Sequence, residues 1–333
     1  MGKKFGVILA AIIITLLFFT LKDIDFLEVY LLLKQIKVAY FIFAVVSYFI
    51  FLFIWNIRWK YTMKGFINAE FFHLLKVLFA GTFLNTVTPG TGIGGEPVRA
   101  YYLKKKYKKP KTKFIGYILA DKTFNLLGFL IYLVFSLIFI NFVLNIALKS
   151  RLISASIIVI ILMIAALFVL AWRHADFKTS WLAGKLFMIK SIKKKFKKRE
   201  KFELFVEKRI KNLASSMKDV FKEKNKVYFG VGMSLLSRLF EFLAVYLIFL
   251  SLGVEVNFVS IIAVVTISTL LGDISPTPGG IGIVEGSMIL LYTAIGLSTA
   301  SAATAALLTR IVYYFLAIGL GGLSLLWLRA NSK

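Results

Sequence analysis

The chain has 333 residues, of which 59% are hydrophobic, with a mean hydropathy of +0.83 and a net charge of +26. This hydropathy is far above that of soluble chains, and several runs approach or exceed the ~20 apolar residues that cross a bilayer. We therefore predict an all-α polytopic membrane protein. The sequence contains no cysteine, which excludes disulfides, thiol catalysis and Cys-ligated metals. We expect no catalytic residue, metal site or cofactor.

The basic residues are gathered in a few loops, which the positive-inside rule places in the cytoplasm. These loops are Lys3–Lys4, 58–64, 104–113 and 173–226. No nucleic-acid recognition motif accompanies the charge, so we expect these loops to meet anionic lipid headgroups and not nucleic acid. We predict an integral protein of a prokaryotic cell membrane, with cytoplasmic N- and C-termini.

The first part of the chain, 1–37, is predicted to hold one span and one interfacial helix. The apolar run at about 5–22 lacks a small-x-small cleavage site and is expected to stay as the first span. Acids and bases alternate among leucines at 23–37, which indicates a helix at the outer interface. Span two, at about 38–57, returns the chain to the cytoplasm at Arg58.

The next segment, 71–103, presents a conflict that a broken hairpin resolves. The apolar run 71–87 should cross outward, but the loop 104–113 has seven lysines and no acid, and belongs inside. Thr88-Pro89-Gly90 would interrupt a helix, because proline removes a backbone donor and glycine tolerates unusual dihedral angles. We therefore predict a re-entrant hairpin that enters from the cytoplasm and returns there.

Spans three (about 113–143) and four (about 152–172) then complete a first repeat, 38–172. The basic cytoplasmic segment 173–226 follows, with 18 basic and 6 acidic residues. Apolar residues recur at helical spacing in its second part. A helix lying on the membrane surface and a solvated linker both account for this pattern.

A second repeat, 227–333, is predicted from a span at about 228–252, a broken element at 258–296 and a last span at about 300–328. A cytoplasmic C-terminus requires the last span to run inward, so the second broken element starts and finishes outside. The complete prediction is about six full transmembrane helices and two re-entrant hairpins in an inverted-topology repeat.

The motif Thr-Pro-Gly-x5-Glu occurs in both broken elements and ends at Glu96 and Glu285. Twenty-five residues beyond each glutamate lies a charge inside an apolar stretch, Asp121 and Arg310 respectively. Broken, charged segments at matching places in two halves are typical of a transporter site. The half-helix after each break would point its partially positive end at an anion such as a phosphate.

Charged residues inside apolar segments are costly, so we expect them to be paired or hydrated. They either lock helices together as ion pairs or line a translocation path. Arg238 and Glu241 are spaced to pair on one helix, and Lys122 is expected to pair with Asp121 or snorkel. The site candidates are Asn85, Pro89, Gly90, Glu96, Arg99, Asp121, Arg238, Glu241, Asp273, Pro278, Gly279, Gly280, Glu285 and Arg310.

The segment 276–286, Pro-Thr-Pro-Gly-Gly-Ile-Gly-Ile-Val-Glu-Gly, together with Gly94-Gly95-Glu96 and Ala120-Asp121-Lys122, resembles the flippase-like transmembrane family. That family includes the membrane region of lysylphosphatidylglycerol synthases and archaeal proteins implicated in translocating polyprenyl-phosphate sugars. The resemblance covers nearly the whole chain. It implies lipid flipping, with Glu96, Arg99, Asp121, Glu285 and Arg310 as site residues. No soluble aminoacyl-transfer domain accompanies it here, so we expect no lipid lysylation and no enzyme activity.

The function predicted from the sequence is the flipping of a lipid with a polar, phosphate-bearing headgroup. The expected partner is an anionic phospholipid or a polyprenyl-phosphate-linked lipid, and a homo-oligomer is compatible with the sequence. The sequence contains no GxxxxGK[ST] motif, so we do not expect direct use of ATP. Two alternatives stay open: a secondary transporter of a small soluble anion, driven by protons through Glu285 or Asp121, and a membrane scaffold that recruits partners through 173–226.

Overall fold

A computed structural model describes residues 25–88, 94–143, 199–275 and 277–331. Every regular element in these four ranges is helical. The predicted first and fourth spans lie outside the described residues, as does the first part of the basic segment.

The helices of the first half are α1 (Phe26–Lys34), α2 (Val38–Thr62), α3 (Phe71–Val87), α4 (Gly95–Tyr107) and α5 (Lys111–Val143). Those of the second half are α6 (Arg199–Lys222), α7 (Lys224–Ser251), α8 (Phe258–Ile274), α9 (Ile283–Ala294), α10 (Thr299–Tyr314) and α11 (Gly321–Ala330). A 3₁₀ turn at Pro278–Gly280 precedes α9, and a π-helical segment, Phe315–Leu320, joins α10 to α11.

Within the described residues, four helices are long and apolar enough to cross a membrane: α2, α5, α7 and the continuous α10–α11 unit. They match the predicted spans two, three, five and last. The first helices of the two broken elements, α3 and α8, are also apolar but have only 17 residues each, fewer than the ~20 that cross a bilayer. The predicted interfacial helix is α1, which Asp25 caps by accepting hydrogen bonds from two backbone amides.

Helices α2 and α7 lie side by side in opposite directions and form the centre of the structure. The Lys37 backbone N–H donates to the Ser251 carbonyl at 2.8 Å, where α2 begins and α7 ends. The Lys226 ammonium donates to the Lys64 carbonyl at 2.7 Å, where α2 ends and α7 begins. We refer to these places as the Lys37 end and the Lys64 end of the bundle.

The pair α3–α4 is a hairpin whose two ends meet at the Lys64 end. The Glu70 backbone N–H, just before α3, donates to the hydroxyl of Tyr107, the last residue of α4, at 3.0 Å. Lys106 also pairs with the Glu70 carboxylate, and this hydrogen bond lowers the pKa of Glu70 below its ordinary value. Near the C-terminal end of α2, the Asn56 side chain donates to the Phe71 carbonyl at 3.1 Å. The chain therefore returns to the level at which it entered the hairpin.

The pair α8–α9 has its two ends at the Lys37 end. The Phe258 ring, at the start of α8, lies 5.6 Å from the Tyr246 ring, and the Tyr292 ring, near the end of α9, lies 4.9 Å from the Phe249 ring. Both Tyr246 and Phe249 belong to the last turns of α7. The two hairpins therefore have their open ends at opposite ends of the α2–α7 pair.

The closed ends of the two hairpins touch each other. Gly279, in the second break, has a φ of +59°, and a Cβ there would lie 3.2 Å from the Thr86 carbonyl of α3. The Thr86 hydroxyl is also hydrogen-bonded to the Tyr313 hydroxyl of α10 at 2.9 Å. Glycine is required at position 279, because a side chain would face both an unfavourable φ and a backbone contact.

The second part of the basic segment is a helix, α6, that packs against α5. A Cβ on Gly116 of α5 would lie 2.7 Å from the Leu213 carbonyl, and α6 buries Phe202, Met217 and Val220. The solvated-linker alternative is therefore wrong for 199–222. The surface-helix alternative predicted that the apolar face of this helix contacts the membrane. In the structure, α5 supplies much of the surface against which that face packs.

The contact between α3 and α4 depends on glycine at position 95. A Cβ there would clash with the Gly81 carbonyl, so Gly95→Ala should separate the helices and cost about 1–3 kcal/mol of stability. Gly232→Ala is the control, since nothing lies within 4 Å of that Cβ on α7 and the change should stabilise a helix slightly. The thermal stabilities of the two variants are compared by unfolding both in the same detergent. Equal stability of the two variants would contradict this packing.

Candidate functional site

Two adjoining cavities lie between the hairpins and the spans. The larger chamber has a volume of about 550 Å³ and is lined from α2, α3, α5, α7, α8, α10 and the π-helical segment. The smaller chamber, of about 220 Å³, lies beside the break that precedes α9. Both chambers are lined by Tyr48, Asn85, Glu241, Thr269, Asp273 and Tyr313. The residues shared by the two linings make the chambers neighbouring parts of one site.

The charged lining of the larger chamber is balanced. Its cations are Arg58, Lys122 and Arg238, and its carboxylates are Asp121, Glu241 and Asp273. Most of the remaining lining is apolar or aromatic. An unpaired charge at membrane depth costs at least ~2.5–3.5 kcal/mol, so charges in this lining need partners of opposite sign close by.

The most buried pair joins Arg58 of α2 to Asp121 of α5. The Arg58 Nε lies 2.7 Å from one Asp121 oxygen, and Nη2 lies 3.1 Å from the other. Trp55 donates its indole N–H to the same carboxylate at 2.9 Å, and the Arg58 Nη1 donates to the Ser234 hydroxyl of α7 at 2.6 Å. This bidentate pair therefore ties three helices together on one wall of the larger chamber.

The structure corrects two sequence-based expectations about these charges. Arg58 was expected at the cytoplasmic end of span two, but α2 continues to Thr62 and leaves the Arg58 side chain 1% exposed. Lys122 is expected either to snorkel or to pair with Asp121; the second alternative is wrong, because its ammonium lies 2.8 Å from the Glu96 carboxylate. Adjacent helix residues do not face each other, so Asp121 and Lys122 point to different partners.

Asn85 closes the tip of the first hairpin. Its side-chain oxygen accepts a hydrogen bond of 2.6 Å from the Gly95 N–H, and its Nδ2 lies 3.5 Å from a Glu96 oxygen. Asn85 lines both chambers, while the buried Glu96 lines neither. Glu96 therefore holds the start of α4 and the Lys122 side chain in place from a position outside the chamber lining.

The second Thr-Pro-Gly motif is held by an ion pair that corresponds to Glu96–Lys122 in the first. The Glu285 carboxylate accepts from the Arg310 Nε at 2.6 Å and from the Gly282 N–H at 2.7 Å. The Arg310 Nη2 donates to the Gly279 carbonyl at 3.0 Å. The sequence indicated a substrate anion at this half-helix end, but the protein's own carboxylate lies there. Arg310 lines the smaller chamber and Glu285 does not.

The pair Arg238–Glu241 lies on α7 at the boundary between the chambers. Its 2.8 Å contact confirms the pairing that the spacing predicts. The Arg238 Nε is buried and has no hydrogen-bond partner among the described residues. Glu241 and the exposed Asp273 both face the two chambers. This boundary combines an arginine with spare hydrogen-bonding capacity and two carboxylates.

Arg99 is enclosed away from both chambers. Its guanidinium carbon lies 4.9 Å from the Trp55 ring centre and 5.5 Å from that of Trp59. A Cβ on Gly81 would meet its Nε. Its Nε and Nη2 have no hydrogen-bond partner within the part of the chain that the structure describes. Stacking on the two indoles is the visible stabilisation of this cation.

The structure thus divides the residues predicted for the site. Those that line a chamber are Asn85, Asp121, Arg238, Glu241, Asp273, Gly279 and Arg310. Those that line neither chamber are Glu96, Arg99, Pro278, Gly280 and Glu285. Pro89 and Gly90 lie outside the described residues. No cluster of three or more metal-ligating side chains occurs among the described residues.

Sequence analysis missed Arg58, Tyr48, Thr269 and Tyr313, which also line the chambers. Helical spacing could have found two of them. Tyr313 follows Arg310 by three residues, and Thr269 precedes Asp273 by four, so each shares a helix face with a predicted site residue.

The Arg58–Asp121 pair makes a stability prediction. Asp121→Asn leaves the buried guanidinium without its counter-charge and should cost about 3–5 kcal/mol. The double variant Arg58→Met with Asp121→Leu should recover much of that loss, because no charge is left buried. The free energies of unfolding of both variants are measured in detergent. Glu203→Gln, in the exposed Arg199–Glu203 pair, is the control. A small loss in Asp121→Asn, equal to the control, would show that the pair does not hold the bundle.

Comparisons with known proteins show the family of this chain. Residues 6–321 match the family described as the lysylphosphatidylglycerol synthase TM region. A UPF0104 membrane protein of Methanothermobacter thermautotrophicus is 30% identical over 87% of this chain and 85% of its own length. Another, from Pyrococcus horikoshii, is 27% identical over 89% of each chain, and one from Methanocaldococcus jannaschii is 30% identical over 81% of this chain and 79% of its own. The chain therefore belongs to the family of the lysylphosphatidylglycerol synthase transmembrane region.

Proposed function

We propose that this protein moves a lipid with a polar, phosphate-bearing headgroup between the two leaflets of the membrane. The observation that carries the proposal is the pair of charged chambers beside the meeting tips of two helical hairpins. The family description, which names a lipid synthase, is in line with a lipid substrate.

The packing of the helices supports an inverted-topology repeat, with α2–α5 as one unit and α7–α11 as the other. The first helix of each hairpin packs against the last span of the other unit: α3 contacts α11, and α8 contacts α5. At the former contact a Cβ on Gly321 would lie 2.7 Å from the Phe79 carbonyl. The two contacts are equivalent, because each joins the first hairpin helix of one unit to the last span of the other unit. We infer that α3–α4 and α8–α9 are re-entrant hairpins that enter from opposite sides.

Such an arrangement suits alternating access. Irregular backbone at membrane depth is tolerated where protein or a water-filled cavity satisfies it, and Gly279 of the second break lines the smaller chamber. Because the hairpin tips meet at Thr86 and Gly279, movement of one hairpin changes the packing of the other. A site between two inverted units can then open towards either leaflet in turn.

The boundary between the chambers has the chemistry to exchange partners with a headgroup. Arginine binds phosphate through several N–H donors, and Arg238 holds Glu241 through one contact while its Nε has no partner among the described residues. A phosphate can take the place of the carboxylate without leaving the guanidinium unpaired. Arg310, which lines the smaller chamber together with Glu241 and Asp273, is a second arginine of the site.

The edge of the larger chamber favours a lipid over a soluble anion. Leu126 of α5 lines the chamber and is 46% exposed. On α8, which packs against α5, Leu271 is 43% exposed and Ile274 is 75% exposed. An apolar surface that continues from a polar chamber allows a hydrocarbon tail to stay in the bilayer while the headgroup crosses.

Transport should depend on the charges at the chamber boundary. In liposomes, the wild-type protein should speed the exposure of a labelled anionic or polyprenyl-phosphate lipid to an external quencher. Arg238→Gln should slow it towards the rate of protein-free liposomes, because the cation that binds the phosphate is lost. Glu203→Gln, in an exposed pair on α6, should leave the rate unchanged.

If no lipid in a broad panel is accelerated while a soluble phosphate or carboxylate enters the liposomes, the proposal is wrong and the protein is a solute transporter. If neither moves although the variants fold, the scaffold alternative replaces both.

The inverted repeat makes a prediction about sidedness that the absence of native cysteine makes easy to test. Single exposed cysteines replacing Lys105, in the last turn of α4, and Asn225, at the start of α7, should react with an impermeant thiol reagent from the same side. A cysteine replacing Glu255, just after α7, should react only from the other side. Labelling of positions 105 and 225 from opposite sides would contradict the re-entrant first hairpin.

A further inference from the structure

A third cavity, of about 290 Å³, lies at the Lys64 end of the bundle, between the end of α2 and the start of α7. It shares no lining residue with the two chambers. We propose that this basic pocket binds the phosphate group of an anionic phospholipid, at a site separate from the translocation path. Its lining includes Ile57, Lys60, Tyr61, Lys64, Asn68 and Phe229.

The charge of the basic pocket is positive and unneutralised. Lys60 and Lys64 are both exposed, and neither has a carboxylate within ion-pair distance in the ranges that the structure describes. No acidic residue lines the pocket. The nearby Glu223 carboxylate is already held by Lys226 at 2.7 Å. An anion entering the pocket would therefore meet two cations that have no competing partner there.

The wall of the basic pocket is built before any ligand arrives. The buried Lys226 ammonium, which holds Glu223, also donates to the Lys64 carbonyl. The following Gly65 turns the chain with a φ of +89°. The Lys64 ammonium lies 5.6 Å from the Tyr61 ring centre, which in turn lies 4.3 Å from that of Phe229. A fixed loop lowers the ordering cost of binding an anion.

The surroundings of the basic pocket indicate a lipid as the source of the phosphate. Ile57, on its apolar side, is 38% exposed, and Tyr228, beside Phe229 at the start of α7, is 73% exposed. Tyrosine at the end of a span is typical of the membrane interface. Basic pockets between helices at that depth bind phosphate-bearing lipid headgroups. Free phosphate shares the headgroup's chemistry but gains nothing from this apolar edge.

The test measures binding and not transport, so its result does not depend on the proposed function. The purified full-length protein in phosphatidylcholine nanodiscs is titrated, at constant ionic strength, with short-chain phosphatidylglycerol in one series and sodium phosphate in another. Binding to the folded state is followed as a rise in Tm. The variant is Lys60→Gln with Lys64→Gln. The control is Lys104→Gln with Lys105→Gln, which removes the same charge from exposed positions of α4.

We expect phosphatidylglycerol to raise the Tm of the wild type and the control. The Lys60/Lys64 variant should need roughly 30-fold more of this lipid for the same rise in Tm, because each lysine contributes ~1 kcal/mol and about 1.4 kcal/mol corresponds to a tenfold change in affinity. Because both lysines are exposed, the variants should have the wild-type Tm without anionic lipid; if they do not, Lys60→Gln alone is compared with Lys104→Gln. Equal shifts in variant and wild type, or equal losses in variant and control, would overturn the site. A shift with sodium phosphate and none with the lipid would overturn the lipid source.

Discussion

The buried Arg58–Asp121 ion pair is the constraint on which the rest of the structure depends. It joins α2 to α5, and the hydrogen bond from Arg58 to Ser234 extends the connection to α7. These three helices form one wall of the larger chamber. Removing two charges from water costs free energy that only close, bidentate geometry offsets, so the pair fixes the relative positions of the helices. Polar groups can then line the remaining space without collapsing onto one another.

The two hairpins border that space. The first helix of each hairpin is apolar and has 17 residues. At the start of the helix that follows, the protein itself accepts a hydrogen bond from a backbone N–H: Asn85 accepts from Gly95, and Glu285 accepts from Gly282. Our proposal follows from what is left over: arginines and carboxylates at the chamber boundary that can exchange partners with a headgroup.

Much of the fold could be predicted from the sequence, because hydropathy and the positions of lysines depend on the bilayer more than on tertiary packing. The helices α2, α5, α7 and α10–α11 occur where the apolar runs place them. Spacing along one helix also predicted the Arg238–Glu241 pair. Contacts between helices could not be predicted in this way. The partners of Arg58, Lys122 and Glu96 lie on other helices, and so does the α5 surface against which α6 packs.

The central claim is that a headgroup enters the chambers while its tail stays outside. Photo-crosslinking with two versions of one lipid tests it most directly, with the reactive group either on the headgroup or on the tail. We predict that the headgroup probe labels residues at the chamber boundary, such as Thr269 and Tyr313, and that the tail probe labels the exposed edge near Leu126 and Ile274. Labelling of the exposed surface alone by both probes would contradict the claim.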